Sequence, residues 1–454
     1  MRLAASLLTL VLGVRGAGAQ SNSDINSGLQ FNFTPPGAKS MGLGGAFSGM
    51  ADDATAVYAN PAGLTALSKP EASAELRHAE YKNTFPTGTP TTDKTLTNSA
   101  TALGFASAVY PIQDWSFAAY YHRAADFTAR IAQVAPNGGP DASVRDGKIN
   151  LNLDSIGAAV AYKVTESLSL GLTLADYHSS LLALTSVTTL QCNKQNGCTP
   201  QMTNSHGVVI PQAGTPYAQV DTQSVSAGGD AFGGILGAHW STNTWSLGLV
   251  YHRSPSFSAE GTTIGSRDVF TPDNLAVLNG GNGHFKVPDI LSAGAGFQVT
   301  SSFGLYAELD HVWYSQLSHQ LIPMLVTTGP LTCVTPGVSR CLAFSEPRIG
   351  DLNTDFKIDD GNELHLGGEY RWALSEASAI FIRAGAWHDP AHTLSFRGNA
   401  AQFPPLAARF PAGSAQTHGA GGIGFVANKH FQVDLGVDIA SRQDSGSLSG
   451  VYRF

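Results

Sequence analysis

The chain has 454 residues, 43% of them hydrophobic but only 13% charged, with a net charge of −8 and four cysteines. Soluble domains carry about 25% charged residues, and an acidic balance argues against nucleic acid as a partner. Beyond the first residues no continuous apolar run is long enough to cross a bilayer as a helix, which excludes a helical membrane protein.

The N-terminus reads as a secretory signal over residues 1–19. Arg2 gives a positive start, Leu7 to Val14 an apolar stretch, and Ala17-Gly18-Ala19 a small-residue cleavage site before Gln20. Cleavage there removes Arg2 and Arg15 and no acid, so 26 basic residues become 24 against 34 acidic, a net charge of −10. Residues 20–68 follow. They are Gly-rich, are interrupted by Pro35-Pro36 and Asn60-Pro61, and cannot hold a long regular element. Short helical turns are expected near 45–50 and 55–58.

Residues 69–454 are a train of strand-like segments, expected at 70–82, 98–110, 115–129, 149–163, 168–180, 221–240, 245–258, 284–299, 303–317, 362–373, 378–388, 416–427, 430–441 and 446–454. The alternation is clearest near the end. Phe431, Val433, Leu435, Val437 and Ile439 alternate with Gln432, Asp434, Gly436 and Asp438. One face is oily and the other must be wet or internally satisfied. Short connections (111–114, 164–167, 241–244, 300–302, 374–377, 428–429) alternate with mostly long ones (130–148, 181–220, 259–283, 318–361, 389–415). An all-β, antiparallel transmembrane barrel of about 14 strands is the fold class that fits: apolar outward, polar inward, with an aromatic C-terminus at Phe454. Both barrel ends then lie on the periplasmic side.

Several smaller features accompany this frame. Cys192, Cys198, Cys333 and Cys341 fall in turn-rich segments with no zinc-type spacing, so no metal is expected. In an oxidising compartment they are expected as two loop disulfides, Cys192–Cys198 and Cys333–Cys341. Trp115-Ser116-Phe117 leads to Tyr121-His122-Arg123, and Trp245-Ser246-Leu247 leads to Tyr251-His252-Arg253 with the same spacing. Shared membrane constraints on two upward strands explain this echo without function. Gly419-Ala420-Gly421-Gly422-Ile423-Gly424 spells a dinucleotide-type pattern but lacks the strand–helix context, so glycines easing strand curvature are the better reading. Asp310-His311 and His388-Asp389 cannot form acid–base dyads by themselves, because strand neighbours point to opposite faces. No nucleophile motif or cofactor site stands out, and an enzyme is not expected. Around the turn 374–377 the outward set Leu364, Leu366, Tyr370, Trp372, Ile380 and Ile382 puts Glu369, Arg371 and Arg383 inside. Glu369 should then face Arg383 as an ion pair. Arg371 is left for an anionic ligand group or an acid of the plug.

The ordered set of motifs resembles the FadL-type outer-membrane long-chain fatty acid and hydrocarbon transporters. Met41–Leu64, ending in Tyr58-Ala59-Asn60-Pro61-Ala62-Gly63-Leu64, is similar to that family's N-terminal hatch with its Asn-Pro-Ala core. Tyr251-His252-Arg253-Ser254 with Glu260-Gly261, Val287-Pro288-Asp289-Ile290-Leu291-Ser292-Ala293-Gly294, Arg383-Ala384-Gly385 with Asp389-Pro390, and the terminal Tyr-Arg-Phe follow in the family's order. The resemblance implies a monomeric barrel over 69–454 plugged by a hatch at 20–68. Ligand would be caught by extracellular loops, gated by the hatch, and released through the wall near a kinked third strand. It implies a fatty acid or other hydrophobic small molecule as cargo, outer-membrane lipid and lipopolysaccharide as surroundings, and the barrel-assembly machinery as a partner through Phe454. Asn60, Pro61 and Ala62 would gate. Met41, Leu43, Phe47, Met50, Val57, Tyr58, Arg371 and Arg383 would contact ligand. Pro35-Pro36 also resembles barrel scaffolds and shuttles of protein secretion, a second reading without small-molecule cargo.

Overall fold

The computed structural model describes residues 33–86, 93–134, 143–191, 201–203, 209–211, 217–268, 275–317, 332–333, 356–393, 395–399 and 412–454. The signal segment, Cys192, Cys198 and Cys341 lie outside the described residues.

Fourteen strands close into an antiparallel barrel. They are β1 Glu71–Pro86, β2 Asp93–Ile112, β3 Trp115–Val134, β4 Ser143–Lys163, β5 Leu168–Gln191 and β6 Tyr217–Ser241. β7 runs in two pieces, Trp245–Arg253 and Ser256–Asp268, and β8 in two, Leu275–Lys286 and Ile290–Thr300. β9 Phe303–Val312, β10 Gly361–Ala373, β11 Ala379–Asp389, β12 Gln416–Ala427, β13 Phe431–Ile439 and β14 Gln443–Arg453 complete the wall. Closure is antiparallel, with Glu71 opposite Arg453 and Tyr81 opposite Gln443. The hairpin Gln201–Thr203 with Val209–Pro211 forms its own small sheet and adds nothing to the wall.

The period of two does what its chemistry requires. On β13, Phe431, Leu435, Val437 and Ile439 are exposed on the outside. Gln432, Asp434 and Asp438 are buried on the inside. The lumen face is therefore internally satisfied rather than wet, because residues 33–67 fill it. Trp115, Trp240, Trp245 and Trp372 are exposed near the end where connections are short, as an interfacial aromatic belt requires. At one of those turns Asn428 and Lys429 both take positive φ, 53° and 64°, the conformation of a tight two-residue hairpin.

Some expected elements end elsewhere. The segment expected as one strand over 303–317 stops at Val312, and Tyr314–Leu317 is a 3-10 turn. The segments 245–258 and 284–299 are each broken, at Ser254-Pro255 and Val287–Asp289. Pro255 and Pro288 have no N–H for the ladder. In the hatch, α1 is Ala38–Gly42 and α2 is Ala56–Ala59, followed by a 3-10 turn at Pro61–Ala66. Residues 45–50 are turns, not a helix, with Gly44 and Gly45 at φ 65° and 86°.

Candidate functional site

The hatch turn is built from three residues with separate tasks. Asn60 is fully buried and extended, with φ −158° and ψ 98°. Its Nδ2 donates to the carbonyls of Ser48 (2.9 Å) and Ala238 (3.2 Å), and its Oδ1 accepts from Ala62 N (3.2 Å). One amide thus ties two hatch segments to the wall and caps the 3-10 turn. Pro61 begins that turn, where a missing N–H costs nothing. The wall meets this turn with glycines. A Cβ at Gly237 would lie 2.3 Å from Asn60 Oδ1, and one at Gly171 would lie 2.4 Å from Ala62 N. The turn therefore sits mainly against β4, β5 and β6, with β3 also in reach. Tyr58, one turn earlier, packs on β3 directly.

The rest of the hatch is held by lumen side chains that satisfy its backbone. Glu308 Oε2 accepts from Phe47 N and Ser48 N, each at 2.7 Å. Glu71 Oε1 accepts from Ala54 N (2.7 Å), and Thr173 donates to Val57 O (2.8 Å). His365 Nδ1 lies 2.7 Å from Gly44 O, and its Nε2 lies 3.4 Å from both Asp310 and Glu363. These three bring ligand-type atoms within 4.8 Å of one another, a grouping that linear spacing does not announce. Here it anchors the hatch to β9 and β10. His311 faces the other way, to Asn362 (2.8 Å), so the neighbouring Asp310 and His311 form no dyad. In α1, Lys39 Nζ is 2.5 Å from Asp52 Oδ1. Burial opposes its charge, but Asp52, Glu369 and Asp53 outweigh that and raise its pKa above the ordinary lysine value.

Glu369 does face Arg383 in the β10–β11 register, and their side chains meet at 2.7 Å. Arg383 NH1 also meets Asp434 at 2.6 Å, and its side chain is 1% exposed. It is thus engaged by two wall carboxylates beneath the hatch, and a ligand contact would have to compete with both. Arg371 is exposed, near the short-turn end of β10. Of the apolar hatch candidates, Leu43, Phe47 and Met50 pack together with Ala59 against Tyr306. Leu43 also fills the space left by Gly367 and Gly385, where an added Cβ would lie within 2.5 Å of it. Met41 and Val57 are buried as well. These are packing groups in this structure. The glycine run of β12 has a related use: a Cβ at Gly42 would come within 3.0 Å of Gly422.

Tyr58 is different. Its ring packs against His122 (centroids 4.3 Å), His252 (5.3 Å) and Tyr120 (6.2 Å). Behind it lies a cavity of about 20 Å³, lined by Tyr58, Ala124, Leu153, Tyr177, Ile235 and Arg253 among others. That is room for about one water. Next to it the wall is incomplete. β2 pairs with β3 from Ile112–Trp115 up to Phe105–His122 and no farther, whereas β1–β2 and β3–β4 pair along their upper parts. The register of β3 on β4 also slips between Arg123 and Ala125, a bulge of the kind that bends a strand away from its neighbour. Arg123 is pinned there by a bidentate pair with Asp154 (2.9 and 3.3 Å). Within the sequence of β3, Tyr120 and Arg123–Asp126 break the clean alternation. That the wall opens near this strand was implied by the family resemblance and not by any local pattern of the residues.

The family model described as outer membrane protein transport protein (OMPP1/FadL/TodX) matches residues 30–447. Among solved structures, the chain is similar to a Pseudomonas aeruginosa FadL homologue (TM-score 0.61, 14% identity, covering 94% of this chain and 99% of that one). It is also similar to the CymD monoaromatic hydrocarbon channel (0.58, 16%, 94% and 99%). The toluene transporter TodX of P. putida follows (0.51, 15%, 93% and 99%). At these identities the likeness concerns the fold. No curated protein sequence gives a significant match.

Proposed function

We infer a function from one premise: the chain belongs to the outer-membrane protein transport family of the OMPP1, FadL and TodX type. It is an outer-membrane β-barrel transport protein and not an enzyme, and its cargo class is hydrophobic small molecules. The finer reading is that it carries long-chain fatty acids. Ligand would enter from the long-loop side, displace Tyr58, occupy the space behind it, and leave sideways between β2 and β3.

The observation that carries this is the cavity behind Tyr58, which reaches Ala124 at the β3 bulge, where pairing with β2 has already ended. It is too small for a fatty acid as it stands, so passage requires the hatch aromatic to move. Apolar lining would supply most of the affinity, about 0.8 kcal/mol per buried CH₂. The lining also includes Arg253, which is exposed, and a cation suits a carboxylate head rather than a neutral hydrocarbon. A monoaromatic cargo is the second reading, favoured by the rings of Tyr58 and Tyr177 in the same lining. Equilibrium binding of oleate and toluene to detergent-purified protein, with Arg253→Gln alongside, tests the choice. Oleate should bind in the micromolar range or tighter and lose about tenfold in the variant. Tight toluene binding unaffected by the variant would select the second reading.

A further inference from the structure

The wall has a second interruption. β6 and β7 pair from Ser241–Ser246 up to Gly234–Arg253, and again from Ser226–Thr262 to Val220–Asp268. Between these runs, residues 227–233 of β6 and 254–261 of β7 are not partners. On its other side β6 stays paired to β5 throughout this stretch. The upper piece of β7 stays paired to β8, with Ser256 opposite Lys286 and Glu260 opposite Asn282. A bulge interrupts a ladder by about one residue. Here seven residues of β6 have no ladder partner on β7, a stretch of about 23 Å at roughly 3.3 Å per residue.

This stretch resembles the first gap in its surroundings. Pairing of β3 with β2 ends at His122, and the lower pairing of β7 with β6 ends at Arg253. Both ends fall in the Tyr-His-Arg echo, Tyr121-His122-Arg123 and Tyr251-His252-Arg253. In each copy the Tyr hydroxyl donates to an Asp from the following wall strand or the break within it: Tyr121 to Asp154 at 2.6 Å, Tyr251 to Asp289 at 3.4 Å. In each copy the His turns inward onto the same hatch ring, Tyr58, at 4.3 Å and 5.3 Å. The cavity behind Tyr58 reaches both places, with Ala124 at the β3 bulge and Gly234, Arg253, Ser254 and Pro255 at the β7 break. A small residue guards each: Ala124 and Ala231 are both partly buried and packed against the same apolar cluster. Phe232, beside Ala231, is 82% exposed on the outer face.

We propose that the window between β6 and β7 is a second lateral portal for the same hydrophobic cargo, and that Tyr58, held between His122 and His252, closes both portals at once. The proposal rests on the transport reading above and extends it to a second door. A ligand that displaces Tyr58 from either histidine frees the ring from the other, so one hatch movement opens two routes from the lumen to the surrounding lipid.

The test is uptake of labelled oleate by cells producing Ala124→Trp, Ala231→Trp and the double variant, each checked for heat-modifiable mobility. If a Trp variant fails to assemble, Leu replaces Trp at that position. Two portals predict that each single variant retains about half of wild-type uptake and the double loses tenfold or more. Wild-type uptake in Ala231→Trp, with the full loss already present in Ala124→Trp, would overturn the second portal and leave transport through the first intact. Wild-type uptake in the double variant would overturn lateral exit altogether. Photolysis of diazirine-bearing palmitate with the wild-type protein in phospholipid vesicles gives a second readout. Adducts within 227–233 or 254–261 that excess oleate competes away support the portal. Adducts there that oleate does not diminish mean bilayer contact only and overturn it.

Discussion

At the scale of single residues, the lumen charges are structural partners before anything else. Arg383 neutralises Glu369 and Asp434 in a place where neither carboxylate meets solvent freely. Removing one member of such a group costs about 3–5 kcal/mol because it strands buried charge. Arg383→Met should therefore lower the temperature of the heat-mobility shift markedly, whereas Arg371→Met, at an exposed position, should leave it near wild type. A second residue-scale expectation concerns His392, just beyond β11, stacked on Tyr314 with centroids 4.3 Å apart. Burial disfavours its imidazolium, but Asp389 at 3.1 Å outweighs this and raises its pKa to about 9. A raised folded-state pKa gives stability that is full below the ordinary histidine value of about 6.5 and is lost as pH climbs through about 9. Tryptic cleavage after Arg397, which is tied down by Asp359 at 2.7 Å, should accelerate between pH 7 and pH 9.5. His392→Gln should cleave fast already at pH 7. A flat profile in the wild type would mean the histidine does not hold this segment.

At the scale of elements, the hatch is fixed by side chains that the strands present inward and by glycines that let it approach. Glu308→Ala leaves the amides of Phe47 and Ser48 without their shared acceptor. The barrel should still assemble, but sensitivity to large hydrophilic antibiotics should rise as the plug loosens. Unchanged sensitivity would assign the hold to other tethers. The filled lumen also changes what alternation means for accessibility. Leu435 is half exposed on the outer face, and Asp434 is 1% exposed inside. A cysteine at Leu435 should react with a lipid-soluble maleimide, and a charged aqueous reagent should reach neither position while the hatch is seated. The strand pattern on β13 was fully legible because period two is a local property. The destination of its polar face was not, because the group that covers Asp434 comes from far away in sequence. The same holds for glycine: Gly237 reads as a weak strand residue until Asn60 is seen against it. The broken β7 and β8 had a local sign in Pro255 and Pro288. The window between β6 and β7 had none, since ladder pairing belongs to two segments and not to either alone. The Tyr-His-Arg echo was visible, and its use emerged only with Tyr58 lying between the two histidines.

At the scale of the whole molecule, a closed fourteen-stranded wall with a buried plug separates permeability from transport. The protein is expected to run as a heat-modifiable monomer, and larger species after mild solubilisation would contradict this. The disulfides Cys192–Cys198 and Cys333–Cys341 remain proposals. If formed, such short loops would gain about 2–3 kcal/mol locally, so barrel assembly should survive reduction, and peptide mapping without reductant would identify the pairs. A secretion scaffold would need no cargo, no mobile hatch and no opening in its wall. Hatch-gated passage needs all three, and the turn that fixes the hatch is the place to separate them. The decisive measurement is labelled-oleate uptake by cells producing Asn60→Ala or Pro61→Ala, beside sensitivity to a large antibiotic. Gated passage predicts that uptake falls at least fivefold while antibiotic exclusion and surface expression stay normal. Wild-type uptake in both variants would contradict a gating role for the hatch turn and favour the scaffold reading.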